Sequence, residues 1–236
     1  MSSRARYVLV ALFAAAAVAC LLLGRWQVGR LQERRAANAA ALARRSAAAV
    51  ALAPGVQRPP AAELAERRVT AAGTYDHAHE LVLHGQVHAG TPGVVVVTPL
   101  RLQGSDTAVL VRRGFLPTPD AMHAPTAAPA EPGTVRVTGL AAAIPSTAGG
   151  GQPLERRGRT TWRYLDRAAL RALPYPVLPV EIRQLPDSAL PSFPRCVPAP
   201  ALDDGPHLSY AFQWFAFAAM ALVFAGIFLR RGAAER

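Results

Sequence analysis

His207 opens an apolar run near the C-terminal end of this 236-residue chain, GPHLSYAFQWFAFA. At about 100° per residue on a helix, His207, Tyr210, Ala211, Trp214, Ala218, Ala221 and Ala225 share one face, and Phe212, Phe215, Met220, Val223 and Ile227 point elsewhere. A neutral imidazole can coordinate iron axially, and the small side chains below it let another helix or a flat ligand come close. A second group follows an apolar run near the N-terminal end, in LGRWQVGR: Trp26, Gln27 and Arg30. An indole can stack on a planar ring and a guanidinium can pair with a carboxylate. The same residues also suit a plainer role, because His, Tyr, Trp and Arg at a membrane boundary anchor helices at the headgroups. Position alone leaves both roles open.

A third group is His77, His79, His84 and His88, which could supply imidazoles to zinc or copper. On an extended strand, alternation sends His77 and His79 to one face and His84 and His88 to the other, so the four converge only if the chain bends near Gly85. Hydrolytic chemistry has no foothold. The sequence contains no Gly-x-Ser-x-Gly elbow, no His-Glu-x-x-His and no close carboxylate pair in apolar surroundings. All 26 basic residues are Arg; without Lys there is neither a phosphate loop of the Gly-Lys-Ser/Thr kind nor Schiff-base chemistry. The net charge of +11 therefore reads as compositional bias, and nucleic acid is not an expected partner. Cys20 and Cys196 fall in an apolar span and in the polar middle respectively, so no internal disulfide is expected.

The elements that must position these groups are two spans and the domain between them. Residues 7–24 carry no charge, and 18 residues rise about 27 Å, enough for a thin bilayer. A cleaved signal peptide competes, but its small-residue motif, Ala17-Val18-Ala19, lies inside the apolar run rather than after it. Residues 208–229 form a clearer span, stopped by Arg230-Arg231 and preceded by Asp203 and Asp204, which predicts a cytoplasmic C-terminus and, with two spans, a cytoplasmic N-terminus. The expected organisation is a cytoplasmic segment (1–6), a transmembrane helix (7–24), a helical extension and linker (25–58), an extracytoplasmic β-rich domain of α+β class (59–206), a second transmembrane helix (207–229) and a cytoplasmic tail (230–236). A span beginning at residue 7 leaves no room for a mitochondrial transit peptide, so a bacterial cell membrane is expected.

Residues 30–52, rich in Ala, Leu and Arg, predict a helix ending near Pro54-Gly55. Short β-type runs follow at 68–75, 80–87, 93–102, 108–115, 134–142 and 177–185, and Asp166 can cap one short helix running to Leu173. The runs predict an antiparallel sheet, with a Pro/Ala/Thr linker over 117–132 and a flexible loop beginning at 149–151.

Three stretches in the same order resemble the Surf1 family of cytochrome oxidase assembly factors: LGRWQVGR with Leu23, Gly24, Trp26, Gln27 and Arg30; TPLRLQGSDTAVLVRRGFLP over 98–117; and HLSYAFQWFAFA at the second span. Arg112 stands where Asn is usual, Phe115 where Trp is usual, and an Ala-rich insertion precedes Arg68. The resemblance implies a non-enzymatic role in assembling an aa3-type heme-copper cytochrome c oxidase of the respiratory chain. In that role heme a is bound or chaperoned through His207 as axial iron ligand, with Trp26, Gln27, Arg30, Tyr210 and Trp214 around it. The partners it implies are oxidase subunit I, with heme A synthase as a further candidate, and the lipid bilayer. The competing expectations are a cofactor-free scaffold for oxidase subunits and a metal carrier using the His77 to His88 group.

Overall fold

A computed structural model describes residues 3–122, 131–146, 153–156, 159–187, 190, 193–194 and 196–233. In chain order the elements are α1 (Ser3–Ser46), β1 (Val50–Ala51), α2 (Ala61–Leu64), β2 (Arg68–Tyr75), a 3-10 turn (His77–His79), β3 (Leu81–His88), β4 (Thr91–Leu102) and β5 (Ala108–Pro117). They continue with β6 (Thr134–Ala143), β7 (Leu154–Arg156), β8 (Arg159–Trp162), α3 (Arg167–Arg171), β9 (Val177–Gln184) and α4 (His207–Ala233). The chain divides into a helical unit, Met1–Ala40 with Leu202–Arg236, and a β-rich unit, Ala41–Ala201.

In the helical unit α1 and α4 are each long and apolar enough to cross a membrane. They pack antiparallel: Phe13 stacks on Phe224 and Phe228 with ring centroids 5.6 and 5.9 Å apart, while Gly24 lies against Phe215 further along α1. Their buried sides are made of small residues at heptad-like spacing, Ala17 and Gly24 on α1 and Ala211, Ala218 and Ala225 on α4. Small side chains let two apolar helices approach closely where lipid offers no hydrophobic drive for them to associate. A Cβ on Gly24 would come within 2.6 Å of the Phe215 ring, which shows how close the backbones run.

The β-rich unit is organised around a ring. β2, β6, β9, β5 and β4 are neighbours in that order, and β4 returns to β2 through the pairs Gly73↔Leu102, Thr74↔Arg101 and Tyr75↔Leu100. β3 continues the sheet from the other half of β4 and carries β8 and β7; β1 lies parallel to β2. The interior is filled by Val69, Leu100, Val109, Val111, Val137 and Ile182, with Leu52 and Leu64 joining from the segment before β2. The opposite face of β3, β4 and β5 is buried too, by Leu83, Val95 and Leu110 against Trp162, Leu165 and Ala169. Burial on both faces explains why Val94–Val97 is an unbroken β-branched run rather than an alternating one.

All six expected strands form, within a few residues of their predicted ends, and Asp166 caps α3 by accepting from the Ala168 and Ala169 amides at 2.9 and 3.1 Å. The expectation of a purely antiparallel sheet is corrected: β1–β2, β3–β8 and β5–β9 are parallel pairs. Alternation reports which face of a strand is buried, not the direction of its neighbour, and the long intervening segments supply the crossovers that parallel pairing needs. The helix predicted to reach residue 52 ends at Ser46, because Val50 and Ala51 pair with Val69 and Thr70 and Leu52 is buried in the ring. Here tertiary pairing outweighs the helix propensity of Ala. Residues 123–130 of the 117–132 linker, and all of 149–151, lie outside the described residues.

Ring closure depends on Gly73, which pairs with Val135 on one side and Leu102 on the other; a Cβ there would run into the Arg101 carbonyl oxygen, a backbone atom that cannot move aside. Gly73→Val is expected to destabilise the β-rich unit by about 3 kcal/mol, at the upper end for overpacking. Gly29→Ala, in α1 with nothing within 4 Å of the new Cβ, should leave stability equal or higher. Thermal melts of both variants in detergent, read by circular dichroism, check the contrast.

Candidate functional site

α4 begins at His207, one residue after Pro206 and two after Gly205, whose φ of +68° suits glycine. The Tyr210 amide and the Ser209 hydroxyl both donate to the Pro206 carbonyl, at 3.1 and 2.8 Å, and so fix the first turn. Its partner on α1 is Gln27, itself buried: Gln27 Oε1 lies 2.9 Å from His207 Nδ1. A carbonyl oxygen only accepts, so Nδ1 carries the proton, and in the neutral ring Nε2 keeps its lone pair. Nε2 has no hydrogen-bond partner among the described residues. This is the arrangement in which histidine ligates a metal through one nitrogen while the other is held by a neighbour.

The segment leading into α4 is held by the next three turns of α1. Arg34 Nε and Asn38 Nδ2 donate to the Asp203 carbonyl at 3.2 and 2.8 Å, and Arg35 Nε to the Asp204 carboxylate at 2.8 Å. Gln27, Leu31, Arg34 and Asn38 follow the i, i+4, i+7, i+11 spacing of one helix face, and Leu31 is buried. The spacing of Arg34 and Asn38 from Gln27 is the sequence signal of their positioning role.

Of the other expected site residues, Trp26 and Arg30 sit one turn apart on an exposed side of α1, about 100° and 60° round from Gln27. Arg30 donates to Glu33 at 2.6 Å across the helix surface. On α4, Tyr210 is exposed and Trp214 is half-buried, edge-on to Phe217 at 5.9 Å. The structure thus joins Gln27 to His207 directly and leaves the three aromatic residues and Arg30 on outward surfaces of the same helix pair.

A family model described as the SURF1 family matches residues 14–219, a span that includes both Gln27 and His207. The chain belongs to the SURF1 family. SURF1-family proteins are generally known as oxidase assembly factors and not as enzymes. A SURF1-like protein of Monosiga brevicollis is 30% identical over 225 residues, covering 91% of this chain and 84% of that protein. Uncharacterized SURF1-like proteins of Mycobacterium bovis and Mycobacterium tuberculosis are 31% identical over 163 residues, 69% of this chain and 59% of theirs.

In this SURF1-family chain the other four described histidines are dispersed. His77 Nε2 accepts from the Glu131 amide at 3.3 Å; His79 Nδ1 lies 2.8 Å from Asp76 Oδ2; His84 Nδ1 lies 3.1 Å from the Thr161 hydroxyl; and His88 packs on Phe115 at 5.6 Å. Among the described residues no three His, Cys, Asp or Glu side chains gather as a metal-holding set. Burial and the nearby positive charge of Arg163 both push the His84 pKa down. Burial tends to raise the Asp76 pKa, but hydrogen bonds from Tyr175 and His79 outweigh it and hold the carboxyl below its ordinary range. These histidines serve the turn and strand edges in which they stand.

Proposed function

We propose that this SURF1-family chain assists assembly of an aa3-type heme-copper cytochrome c oxidase by holding heme a for insertion into subunit I, with His207 as its iron ligand. The observation that carries this reading is the Gln27–His207 bond, which orients the ring and leaves Nε2 unpartnered at one end of a closely packed helix pair. The residues fit the group. Gly205 has no side chain beside the ring, and a Cβ there would lie 3.6 and 3.8 Å from Cδ2 and Nε2. Trp26, Tyr210 and Trp214 offer aromatic surface, and Arg30 a cation for carboxylates. When bound, the heme would supply an iron centre that an imidazole can ligate, and His207 would hold it. The chain's own residues orient that imidazole, fix its proton on Nδ1 and hold the entry to α4 through Arg34, Arg35 and Asn38.

In the same reading α1 and α4 span a bacterial cell membrane with both termini cytoplasmic, as the Asp203-Asp204 and Arg230-Arg231 flanks favour, and the β-rich domain is extracytoplasmic. Subunit I is the expected partner, with heme A synthase as a donor. Visible spectroscopy of the chain purified after co-expression with a heme A pathway tests this. A Soret band well above that of cells lacking heme A is expected; a band at background would leave a cofactor-free scaffold as the reading.

A further inference from the structure

On the outer face of the β-rich unit, β5 and β9 run parallel in a register that sets Arg112 beside Arg183, with Glu181 two residues earlier on the same face. The buried Glu181 carboxylate accepts from Arg112 Nε and Nη2 at 3.1 and 3.2 Å and from Arg183 Nε at 3.0 Å. One carboxylate between two guanidinium groups leaves a net positive charge, and neither Nη group of Arg183 has a protein partner among the described residues. The pair floors a trough with two hollows. One, of about 450 Å³, is bounded by Arg163, Tyr164 and Ile144; the other, of about 300 Å³, has an apolar wall of Val95, Phe115, Leu140 and Val197. Both include Gln86, Arg112 and Arg183, so a basic bridge joins them. Of the other carboxylates nearby, Glu66 pairs with Arg45 at 2.7 Å and Asp166 caps α3; with Arg163 on the rim, three arginines still outnumber Glu181 and Asp166. Large side chains on the rim are left in solvent, Val87 at 69% and Tyr164 at 55% exposure.

We propose that this trough docks an acidic segment of a partner protein, with a carboxylate on Arg183 and Arg112 and a neighbouring apolar side chain in the hollow beside Phe115. The uncompensated charge selects an acidic partner. Exposed apolar side chains around a charged centre, on an open face, fit a polypeptide better than a free anion. The inference rests on the assembly-factor reading only for the existence of a protein partner.

The test places photo-crosslinking benzoylphenylalanine at Val87 or Tyr164 of the full chain, co-expressed with an oxidase in native membranes, and maps the products by mass spectrometry. Both positions should crosslink to one acidic segment of one oxidase subunit. Arg183→Gln and, separately, the exposed rim change Arg163→Glu should each lower the yield at least fivefold, while Arg68→Gln in β2 leaves it unchanged. The Arg163 variant guards against a folding defect, since its side chain is exposed. Crosslinks to segments without carboxylates, or yields unmoved by both arginine changes, would overturn the proposal. Absence of crosslinks while oxidase subunits still copurify would also overturn it and leave the assembly reading standing; if nothing copurifies either, both fall.

Discussion

His207→Ala, co-expressed with a heme A pathway, is expected to purify with its Soret absorbance at least tenfold below that of the unaltered chain, while the thermal melts of the two heme-free chains differ only by the loss of the hydrogen bond to Gln27, about 1–3 kcal/mol. His207 is the first residue of α4, and the helix pair is held elsewhere, by Ala211, Ala218 and Ala225 against α1 and by the Phe13 stack on Phe224 and Phe228. Loss of the imidazole therefore removes the proposed ligand without removing the packing. Gln27→Leu separates ligation from positioning. It keeps Nε2 but takes away the acceptor that holds Nδ1–H, and removal of such a partner typically costs about 10- to 100-fold in metal affinity. Gln27→Glu restores an acceptor at the same place and should recover most of the binding. Titration of heme into each purified variant, read at the Soret band, gives the three affinities. Equal occupancy in His207→Ala and the unaltered chain would reject His207 as the ligand while leaving carriage through another group open.

The second large effect is on stability and lies in the β-rich unit. Arg113 of β5 has its side chain 2% exposed, with Nη2 at 2.7 Å from Glu131 Oε1 and Nη1 at 3.9 Å from Glu80 Oε2. Its guanidinium carbon lies 5.2 Å from the centre of the Tyr75 ring, and Thr98 Oγ1 donates to Glu80 at 3.2 Å. Burial, reinforced by the nearby Glu131 charge, pushes the Tyr75 pKa well up and keeps the hydroxyl protonated. Burial likewise raises that of Cys196, whose thiol donates to the Arg113 carbonyl at 3.3 Å, so this cysteine is a packing group rather than a nucleophile.

Arg113→Met would leave Glu131 and Glu80 facing that site without their cation, and breaking a buried pair from one side costs about 3–5 kcal/mol. Arg113→Lys retains the charge but not the planar fork, and should fall between. If stranded carboxylates are the cause, adding Glu131→Gln and Glu80→Gln to Arg113→Met should regain part of the loss. Urea unfolding in detergent, followed through the buried Trp162, measures each step.

Both effects turn on residues whose importance is differently visible in the sequence. Gln27 and His207 stand in the motifs that carry the family resemblance, so the site was legible as a list of residues. Its geometry was not, since Trp26 and Arg30, which share a motif with Gln27, point away from the helix contact. Arg113 lies in the 98–117 stretch that also carries the resemblance, but nothing in that stretch marks it as buried. A charged residue in a strand normally reads as solvent-facing, and only the carboxylates brought to it from residues 80 and 131 make its burial tolerable.

What the chain determines by itself is what depends on local periodicity and composition. Two long apolar stretches make α1 and α4; alternating and β-branched runs make β2 to β6 and β9; Asp166 starts α3. Each follows from interactions within a few residues, so each can be read in order along the chain. Tertiary structure decides how these pieces meet. The return of β4 to β2 at Gly73, the parallel pairing of β9 with β5 and the capture of Val50–Ala51 as a strand all join residues far apart in sequence, and periodicity marks a buried face without naming its partner. The same holds at the site. Helical spacing places Gln27, Leu31, Arg34 and Asn38 on one face and His207 on another, 180 residues from Gln27, and only the antiparallel packing of the two helices turns those faces into one arrangement with a free imidazole nitrogen.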